Sequence, residues 1–447
     1  MVPRPRSSDD FRFAIICALP SEYDAVYDSL DDIWDKDEGL GTATGDPRIY
    51  TTGRIGNLPV VLVLLPGIGK REAASGAVEL RMSYRNLAIA FLVGICGAVP
   101  KPHIGTEILL GDIIISRSLV QYDFGRQNPN GFERKNNVDA ALGRPNKKIR
   151  ALTALLGTRP GRDELEGSAL EYLQQLQTKM ASTKHRGIYD YVGIAHDQLF
   201  NSKYRHKHRT EACDICQACL TDNDPVCSEA AERTCIELGC SEGELVNRTQ
   251  LQQRQQDAID AAPALNVHIG TFGSADTVMR SAQSRDIIAK REKVIAFEME
   301  GAGVWDEIPC IIVKGASDYA DSHKHKKWQD YAAGVAASTV KAILGSYFQE
   351  AQEKKTTPSG KPRRFARSIR CYKCLEFGHY ASAPHCFICG EYGHGAYDLH
   401  CRKCDGFGHY DDEPHCYKCG EVGFYNNKSH CYYCHEFGHY AKNCPMR

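Results

Sequence analysis

The chain has 447 residues, of which 42% are hydrophobic, so it is long enough for two or three domains and apolar enough for at least one sizeable core. Its 55 Lys and Arg against 56 Asp and Glu give a net charge of −1, so no overall field selects a partner, and any nucleic-acid affinity must come from local charge. The apolar run 13–20 is too short to span a membrane and lacks a signal-peptide cleavage pattern, which predicts an intracellular protein, in cytoplasm or nucleus, with no membrane partner.

Between residue 11 and about residue 346, short apolar runs alternate with longer amphipathic stretches. Helical spacing predicts helices over 71–85 and 331–347. The runs predict buried strands at Phe13–Ala18, Val60–Leu65, Leu87–Gly94, Asp112–Ser116, Val294–Phe297 and Cys310–Val313. This rhythm predicts an α/β domain over 11–346, built around a buried sheet that is parallel or mixed.

The rhythm breaks over about 125–262, which is polar and predicts a long insertion with some helix, for example over 163–180. The insertion carries six cysteines, which are Cys213, Cys216, Cys219, Cys227, Cys235 and Cys240. The first three have Cys-x2-Cys-x2-Cys spacing. Two interpretations stay open for this group: a zinc site, or a set of loop thiols.

Residues 347–370 form a linker by composition. Between Glu353 and Arg370, seven Lys or Arg against one acid give a charge of +6.

From residue 371 to residue 447 the chain repeats five times with a period of 15, and each unit opens with a Cys followed by a second Cys three positions later. Four of the five units continue as Cys-x2-Cys-x4-His. The last unit adds Cys444 as a fourth ligand and resembles the retroviral-type zinc knuckle, with Gly438 before its His and Tyr440 after it. With no export signal, this pattern predicts Zn²⁺ binding rather than disulfides.

In the first four units a His follows one position after the place that corresponds to Cys444, and we infer Cys-Cys-His-His ligation there. The fourth unit has Phe424 in place of its third ligand, so we expect it to bind metal weakly or not at all. The candidate Zn²⁺ ligands are Cys371, Cys374, His379, His385, Cys386, Cys389, His394, His400, Cys401, Cys404, His409, His415, Cys416, Cys419, His430, Cys431, Cys434, His439 and Cys444.

The repeats are rich in aromatic residues, and zinc knuckles typically stack single-stranded bases on such side chains. However, residues 371–447 hold seven Lys or Arg against nine Asp or Glu, so the repeats alone should bind RNA or DNA weakly. The basic linker would have to compensate. Single-stranded RNA or DNA is favoured slightly over a protein as the partner of the linker and repeats.

Several short segments of the first domain share order and spacing with one enzyme family. They are AIICALPSEYDAV (14–26), GIGK (67–70), VGICGAVP (93–100), GDIIIS (111–116), GTFGSAD (270–276), FEMEGAG (297–303) and KGASDYAD (314–321). Together they resemble the nucleoside phosphorylase/nucleosidase superfamily, and VQYDFGR (120–126) and HKHKKWQDY (323–331) add a likeness to its fungal branch, where such domains commonly head multidomain proteins. The resemblance implies a three-layer phosphorylase/hydrolase-like fold with a central mixed sheet.

The resemblance also implies the chemistry, which is cleavage of a purine nucleoside or nucleotide at its N-glycosidic bond without a cofactor. Asp318 stands where the family's acid protonates purine N7, and Glu300 stands where the family's Glu accepts hydrogen bonds from the ribose hydroxyls. The implied substrate-binding residues are Gly97, Ser274, Phe297, Met299, Glu300 and Ser317.

Glu22 bears on the choice between water and phosphate as the acceptor. It matches the position at which methylthioadenosine/S-adenosylhomocysteine nucleosidases carry a water-activating Glu, and a carboxylate there suits a general base and repels phosphate. Phosphorylases instead surround this pocket with Arg, and Arg12, Lys70 and Arg71 stay open as phosphate ligands. Hydrolysis is therefore favoured over phosphorolysis, and the remaining alternative is a nucleic-acid or protein adaptor whose first domain senses a nucleoside without turnover.

Two positions depart from the family pattern. Lys314 stands where the bacterial enzymes have Arg, and Val278 lies near the place of an expected base-stacking aromatic, which leaves the base preference open. Superfamily members are usually dimers to hexamers. A homo-oligomer stays open here because the insertion could block those interfaces.

Overall fold

A computed structural model of the chain describes residues 4–34, 42–129, 131–135, 142–210, 212–221, 224–257 and 265–348, and the backbone alone of 400–401 and 406–407. The chain divides into two compact units, Met1–Lys355 and Thr356–Arg447. Most of the basic linker and the side chains of all candidate zinc ligands from Cys371 to Cys444 lie outside the described residues.

The strands of the first unit, in chain order, are β1 (Phe13–Cys17), β2 (Asp32–Trp34), β3 (Tyr50–Ile55), β4 (Leu58–Leu64), β5 (Ile89–Ala98), β6 (Ile113–Gln121), β7 (Gly125–Asn128), β8 (Gly131–Arg134), β9 (Val267–Ser274), β10 (Val294–Glu298) and β11 (Cys310–Asp318). The helices are α1 (Pro20–Ser29), α2 (Lys70–Ser83), α3 (Lys147–Leu156), α4 (Arg159–Ala181), α5 (Asp214–Ala218), α6 (Cys235–Leu238), α7 (Thr249–Asp257), α8 (Ala282–Glu292), α9 (Gly301–Val304) and α10 (Gln329–Tyr347). In the second unit, β12 (His400–Cys401), at the junction of the second and third repeats, pairs antiparallel with β13 (Gly406–Phe407).

Nine strands of the described part of the first unit form one mixed sheet, in the order β10-β9-β6-β11-β5-β1-β4-β3-β2. Strand β1 runs parallel to β4 and β5, and β5 runs parallel to β11, whereas β6 is antiparallel to β11. Strand β10 also pairs antiparallel with β5, through Ala296 opposite Ala98, so one side of the sheet curls back on itself. The predicted α/β class with a central mixed sheet is confirmed, and each of the six predicted strands falls on an observed one.

The central strands read as continuous apolar runs because both of their faces are covered. All five residues of β1 and all five of β10 are buried. Helix α10 is buried over most of its circumference because it lies between the sheet strands β5 and β11 and helix α4. The core therefore brings the carboxyl ends of β1, β5 and β11 to one edge of the sheet.

The predicted insertion contains two structurally different parts. Helices α3 and α4 pack in the main core, where Ile149, Leu152, Leu165 and Leu173 are buried. The cysteine-bearing part has its own small cluster of buried apolar residues, centred on Cys216, Ala230 and Leu238. Within the described ranges, no helix combines the length and the apolar character that a membrane crossing requires.

Candidate active site

A cavity of about 240 Å³ lies where β1, β5, β10 and β11 end. The carboxyl ends of parallel strands are the usual place for a ligand in open α/β sheets. The residues singled out in the sequence that line this cavity are Glu22, Gly97, Phe297, Met299, Glu300, Ser317 and Asp318. These residues come from four distant segments of the chain.

Glu22 lies in the first turn of α1 and is buried against the end of β5. Its Oε2 accepts hydrogen bonds from the backbone N–H groups of Ala18 at 2.9 Å and Leu19 at 3.0 Å. Its Oε1 accepts from the N–H of Ile95 at 2.8 Å. The carboxylate fits there because residue 94 is a glycine, since a Cβ on Gly94 would lie 1.8 Å from Glu22 Oε1.

Lys314 is a buried cation between two of the acids. Its Nζ lies 3.2 Å from Glu22 Oε1 and 4.0 Å from Glu300 Oε2. Burial by itself lowers the pKa of the ammonium, but the negative charges of Glu22 and Glu300 outweigh burial, and the pKa of Lys314 is raised. The side chain therefore stays charged and compensates the acids around it.

Glu298 is the last residue of β10, and Glu300 lies two residues further along the chain. Glu300 Oε1 accepts a hydrogen bond from the N–H of Gly69 at 3.1 Å, at the start of α2. Glu298 Oε2 accepts from the N–H groups of Glu300 at 2.9 Å and Gly301 at 2.7 Å. Burial, reinforced by the charge of Glu300 and opposed by Lys314, raises the pKa of Glu298 to about 7. Burial also raises the pKa of Glu300, with Lys314 opposing and Glu22 reinforcing the effect.

Asp318 lies at the end of β11, and both of its oxygens are held. Oδ1 accepts from the N–H of Ala320 at 2.8 Å, and Oδ2 accepts from the Ser317 hydroxyl at 3.1 Å. Lys324 Nζ lies 3.8 Å from Oδ2 and also lines the cavity. The carboxyl group is thus fixed at the cavity wall.

Other residues singled out in the sequence lie elsewhere. Ser274 is not among the lining residues: it is buried, and its Oγ accepts from the N–H of Ala302 at 3.0 Å. Arg12 and Arg71 are likewise outside the lining, and the Lys70 ammonium is paired with Asp123 at 2.7 Å.

The sequence interpretation missed two charged lining residues, Glu298 and Lys324. Glu298 could have been found as the first acid of the Glu-Met-Glu triplet, because it stands two residues from Glu300. Lys324 carried no comparable signal. The aliphatic Val278 lines the cavity together with Thr277 and Met279.

Part of the first domain matches a known protein family. Residues 12–164 match the model of the Phosphorylase superfamily. The match includes the first four of the segments that resemble the nucleoside phosphorylase/nucleosidase superfamily, and the last three lie beyond it. The first domain is thus similar to the Phosphorylase superfamily over residues 12–164.

One curated protein is similar to the chain at moderate sequence identity. The chain is 28% identical over 351 residues to a nucleotide-binding leucine-rich repeat (NLR)-like protein of Hyaloscypha variabilis, in an alignment that covers 77% of this chain and 30% of that protein. The chain therefore spans about 30% of the length of that curated relative.

Three solved structures are similar to the chain at low identity. A mutant of Helicobacter pylori MTAN with 5'-methylthioadenosine in the active site shares 13% identity, with 75% of this chain and 98% of that chain covered and a TM-score of 0.41. The futalosine hydrolase of Helicobacter pylori shares 13%, covering 75% and 97%, with a TM-score of 0.42. The 5'-methylthioadenosine/S-adenosylhomocysteine nucleosidase of Neisseria meningitidis in complex with methylthio-immucillin-A shares 15%, covering 75% and 99%, with a TM-score of 0.42.

Proposed function

We propose that the first domain hydrolyses the N-glycosidic bond of a purine nucleoside or nucleotide. The observation that carries this proposal is that Glu22, Glu300 and Asp318, which are far apart in the sequence, line one cavity. Acids that only cap strand ends in solvent would not be expected to share one cavity. The cavity volume of 240 Å³ is enough for part of a nucleoside.

Cleavage of the bond passes through an oxocarbenium-like state, so the leaving base must gain a proton and the sugar must be held. Asp318 gives the proton to the base, and the bonds from Ser317 and Ala320 keep its carboxyl group directed at the cavity. Glu300 accepts hydrogen bonds from the sugar hydroxyls through Oε2, because Oε1 already accepts from Gly69. The two acids thus act on opposite parts of the substrate.

The charge of the cavity favours water over phosphate as the acceptor. Among the described lining residues, four are acids, namely Glu22, Glu298, Glu300 and Asp318, whereas Lys324 is the one Lys or Arg. A phosphate dianion would be repelled by these carboxylates, whereas a water needs a base beside it. Glu22 is the base in this proposal.

The hydrogen bonds of Glu22 define how it would receive a proton. A carboxylate has about four lone-pair sites, and here they take three backbone N–H groups and the Lys314 ammonium. The Lys314 contact, at 3.2 Å, is the longest of the four. An attacking water therefore displaces this contact at Oε1, and Lys314 remains beside it to stabilise the developing hydroxide.

A screen for base release tests the proposal. The full chain is incubated with purine nucleosides and nucleotides, with and without phosphate, and free base is measured. Hydrolysis predicts release without phosphate, which Glu22→Gln and Asp318→Asn each abolish, while Glu164→Gln, an exposed acid on α4, leaves release unchanged. Absence of base release across the panel would overturn the proposal, and release that requires phosphate would favour phosphorolysis.

Binding without turnover is a second candidate, and the saturated hydrogen bonding of Glu22 favours it. A base whose lone pairs are all occupied is arranged to hold its surroundings rather than to take a proton. Calorimetry separates the two functions: a nucleoside that binds, loses affinity on Asp318→Asn and is recovered intact identifies a sensor.

For the second unit we propose Zn²⁺ binding by the knuckle repeats and contact with single-stranded nucleic acid through the repeats and the basic linker. The support is the period of the Cys and His residues, the aromatic residues between them and the charge of +6 in 353–370. A gel shift of the full chain with a single-stranded oligonucleotide, compared with a Cys431→Ser, Cys434→Ser double variant, tests it. A shift that is unaffected by this variant and by chelator would assign the binding to the linker.

A further inference from the structure

Two groups of four Cys and His side chains lie in and beside the cysteine-bearing part of the insertion. The first group is His206, Cys235, Cys240 and His323, and the second is His208, Cys213, Cys216 and Cys227. In each group, the four ligand atoms all lie within 4.8 Å of one another. Five of the six cysteines left open by the sequence belong to these groups.

The spacing within the first group matches a tetrahedral zinc ion. With Zn–N bonds of about 2.0 Å and Zn–S bonds of about 2.3 Å, a tetrahedron separates two nitrogens by about 3.3 Å and a nitrogen from a sulfur by about 3.5 Å. The Nδ1 atoms of His206 and His323 are 3.2 Å apart. Cys235 Sγ lies 3.7 and 3.5 Å from these nitrogens, and Cys240 Sγ lies 3.7 and 3.9 Å from them.

The orientation of the two imidazole rings also suits a metal ion between them. His206 Nε2 lies 2.9 Å from the carbonyl oxygen of Arg233, and His323 Nε2 lies 2.9 Å from that of Tyr204. A carbonyl oxygen only accepts, so each Nε2 carries the ring hydrogen, and in the neutral ring each Nδ1 presents a lone pair. A metal ion between the rings would bind both lone pairs, which lie 3.2 Å apart, and carbonyls that fix the tautomer in this way are typical around metal-bound His.

The second group has the same dimensions with three sulfurs. His208 Nδ1 lies 3.6 Å from Cys216 Sγ and 3.4 Å from Cys227 Sγ, and the two sulfurs are 3.7 Å apart. That sulfur–sulfur distance excludes a disulfide, whose bond is about 2.05 Å long, and matches the roughly 3.8 Å edge of a zinc tetrahedron. The N–H of Ala230 points at Cys227 Sγ from 3.4 Å.

The segment that carries these ligands has little else to hold it together. Its helices α5 and α6 have five and four residues, and its buried apolar cluster centres on three small or medium side chains. Segments with so small a core usually depend on a metal or a disulfide, because the binding energy of the metal supplies the folding energy.

His323 connects this segment to the cavity. It lies five residues after Asp318, and its neighbour Lys324 lines the cavity. The loop between Asp318 and Lys324 is therefore attached to the cysteine-bearing segment through the first group.

We propose that residues 206–240 together with His323 bind two Zn²⁺ ions, one in each group, and that the ion held by His323 fixes the loop that carries Asp318. The ions are structural, because each has four protein ligands and no open position. His323 is a positioning residue. The zinc sites stand independently of the proposed function, whereas the effect on Asp318 rests on it.

Zinc content of the full chain tests the two sites. Mass spectrometry of the purified protein is compared between variants, so that zinc in the knuckle repeats cancels. His323→Ala and Cys216→Ser should each hold one zinc fewer per chain than the natural sequence. Cys219→Ser is the matched control, because Cys219 is buried in the same segment but lies outside both groups, and it should lose none.

Two further measurements keep the result interpretable if a variant unfolds. His323→Cys supplies another zinc ligand and should retain the ion that His323→Ala loses. Cobalt substitution should give the absorption of tetrahedral cobalt thiolates, with less intensity in each single-site variant. Zinc content unchanged in both His323→Ala and Cys216→Ser, or a Cys235–Cys240 disulfide found by thiol titration, would overturn the proposal.

Hydrogen exchange separates the positioning role from activity. Loss of the His323 ligand should speed exchange of the amides of 319–325 by about tenfold or more, as in a locally opened loop, while Cys216→Ser leaves them protected. Base release should fall in His323→Ala and stay unchanged in Cys216→Ser. Loss of zinc without faster exchange would overturn the positioning role and leave the proposed hydrolysis untouched.

Discussion

Replacing Glu298 by Gln should change how the stability of the first unit depends on pH. The Glu298 carboxyl group is buried at the end of β10, and burial, together with the charge of Glu300, raises its pKa from 4.5 to about 7. A group whose pKa is raised on folding binds its proton more tightly in the folded chain, so the unfolding free energy falls as pH rises from about 4.5 to about 7. At 1.36 kcal/mol for each pH unit, the loss above pH 7 is about 3 kcal/mol.

A Gln side chain at position 298 removes the ionisation and keeps the local bonds, because its carbonyl oxygen can accept from the N–H groups of Glu300 and Gly301. At pH 8 we expect Glu298→Gln to be more stable than the natural sequence by up to about 3 kcal/mol. At pH 4.5 the two proteins should be nearly equal, since the natural carboxyl group is then largely protonated.

Urea unfolding followed by tryptophan fluorescence at pH 5, 6, 7 and 8 measures this difference. All three tryptophans of the chain, Trp34, Trp305 and Trp328, lie in the first unit, so the repeats do not contribute to the signal. Glu164→Gln serves as the control for loss of an acid at the surface. If the stabilities of the Glu298→Gln variant and the natural sequence run parallel from pH 5 to 8, the raised pKa is wrong.

Two further predictions concern the same group of side chains. Lys314→Met leaves two buried carboxylates without their cation and should lower the unfolding free energy by about 3–5 kcal/mol, measured by urea unfolding at pH 7; a loss below about 1 kcal/mol would mean that the ammonium does not compensate them. Gly94→Ala should lower the melting temperature and abolish base release, because the new Cβ would lie 1.8 Å from Glu22 Oε1. Gly105 also has a positive φ, but a Cβ there would have no atom within 4 Å, so Gly105→Ala should show only the smaller effect of backbone strain. Equal effects of the two glycine variants would contradict the clash.

The fold was predictable where strands are buried on both faces. Strands β1, β4 and β10 are uninterrupted apolar runs because helices or neighbouring strands cover each side. Strand β9 escaped prediction as a strand because Gly270 and Gly273 interrupt its pattern, and the structure shows why they are glycines: a Cβ on Gly270 would lie 2.4 Å from Ile295. Such close packing between strands leaves no periodic trace in the sequence.

The candidate site was predictable only in part, because its arrangement depends on pairings between distant strands. Sequence segments located Glu22, Glu300 and Asp318, and the structure places them around one cavity. The bridging position of Lys314 follows from the register of β11 on β5, which sets Lys314 opposite Gly94. No local pattern encodes that register.

The two Cys and His groups show the same limit. Their ligands interleave along the chain, with His206 and His208 two residues apart and belonging to different groups. The Cys-x2-Cys-x2-Cys run contributes two ligands, while its third cysteine, Cys219, contributes none. The fourth ligand of the first group, His323, lies 83 residues beyond Cys240. Spacing alone therefore left a zinc site and loop thiols as equal interpretations.

The insertion and the cavity meet in the loop after β11. Ala320 holds a φ of 52°, a conformation that costs a non-glycine residue roughly 1 kcal/mol and persists only where the surroundings enforce it. Two contacts to groups outside the sheet lie beside it: the Tyr319 hydroxyl donates to Asp197 at 2.7 Å, and His323 lies in the first Cys and His group. Both partners belong to the region that interrupts the α/β rhythm, so the insertion supports the backbone that presents Asp318. A substitution in that region should therefore alter the orientation of Asp318 although the substituted residue does not line the cavity.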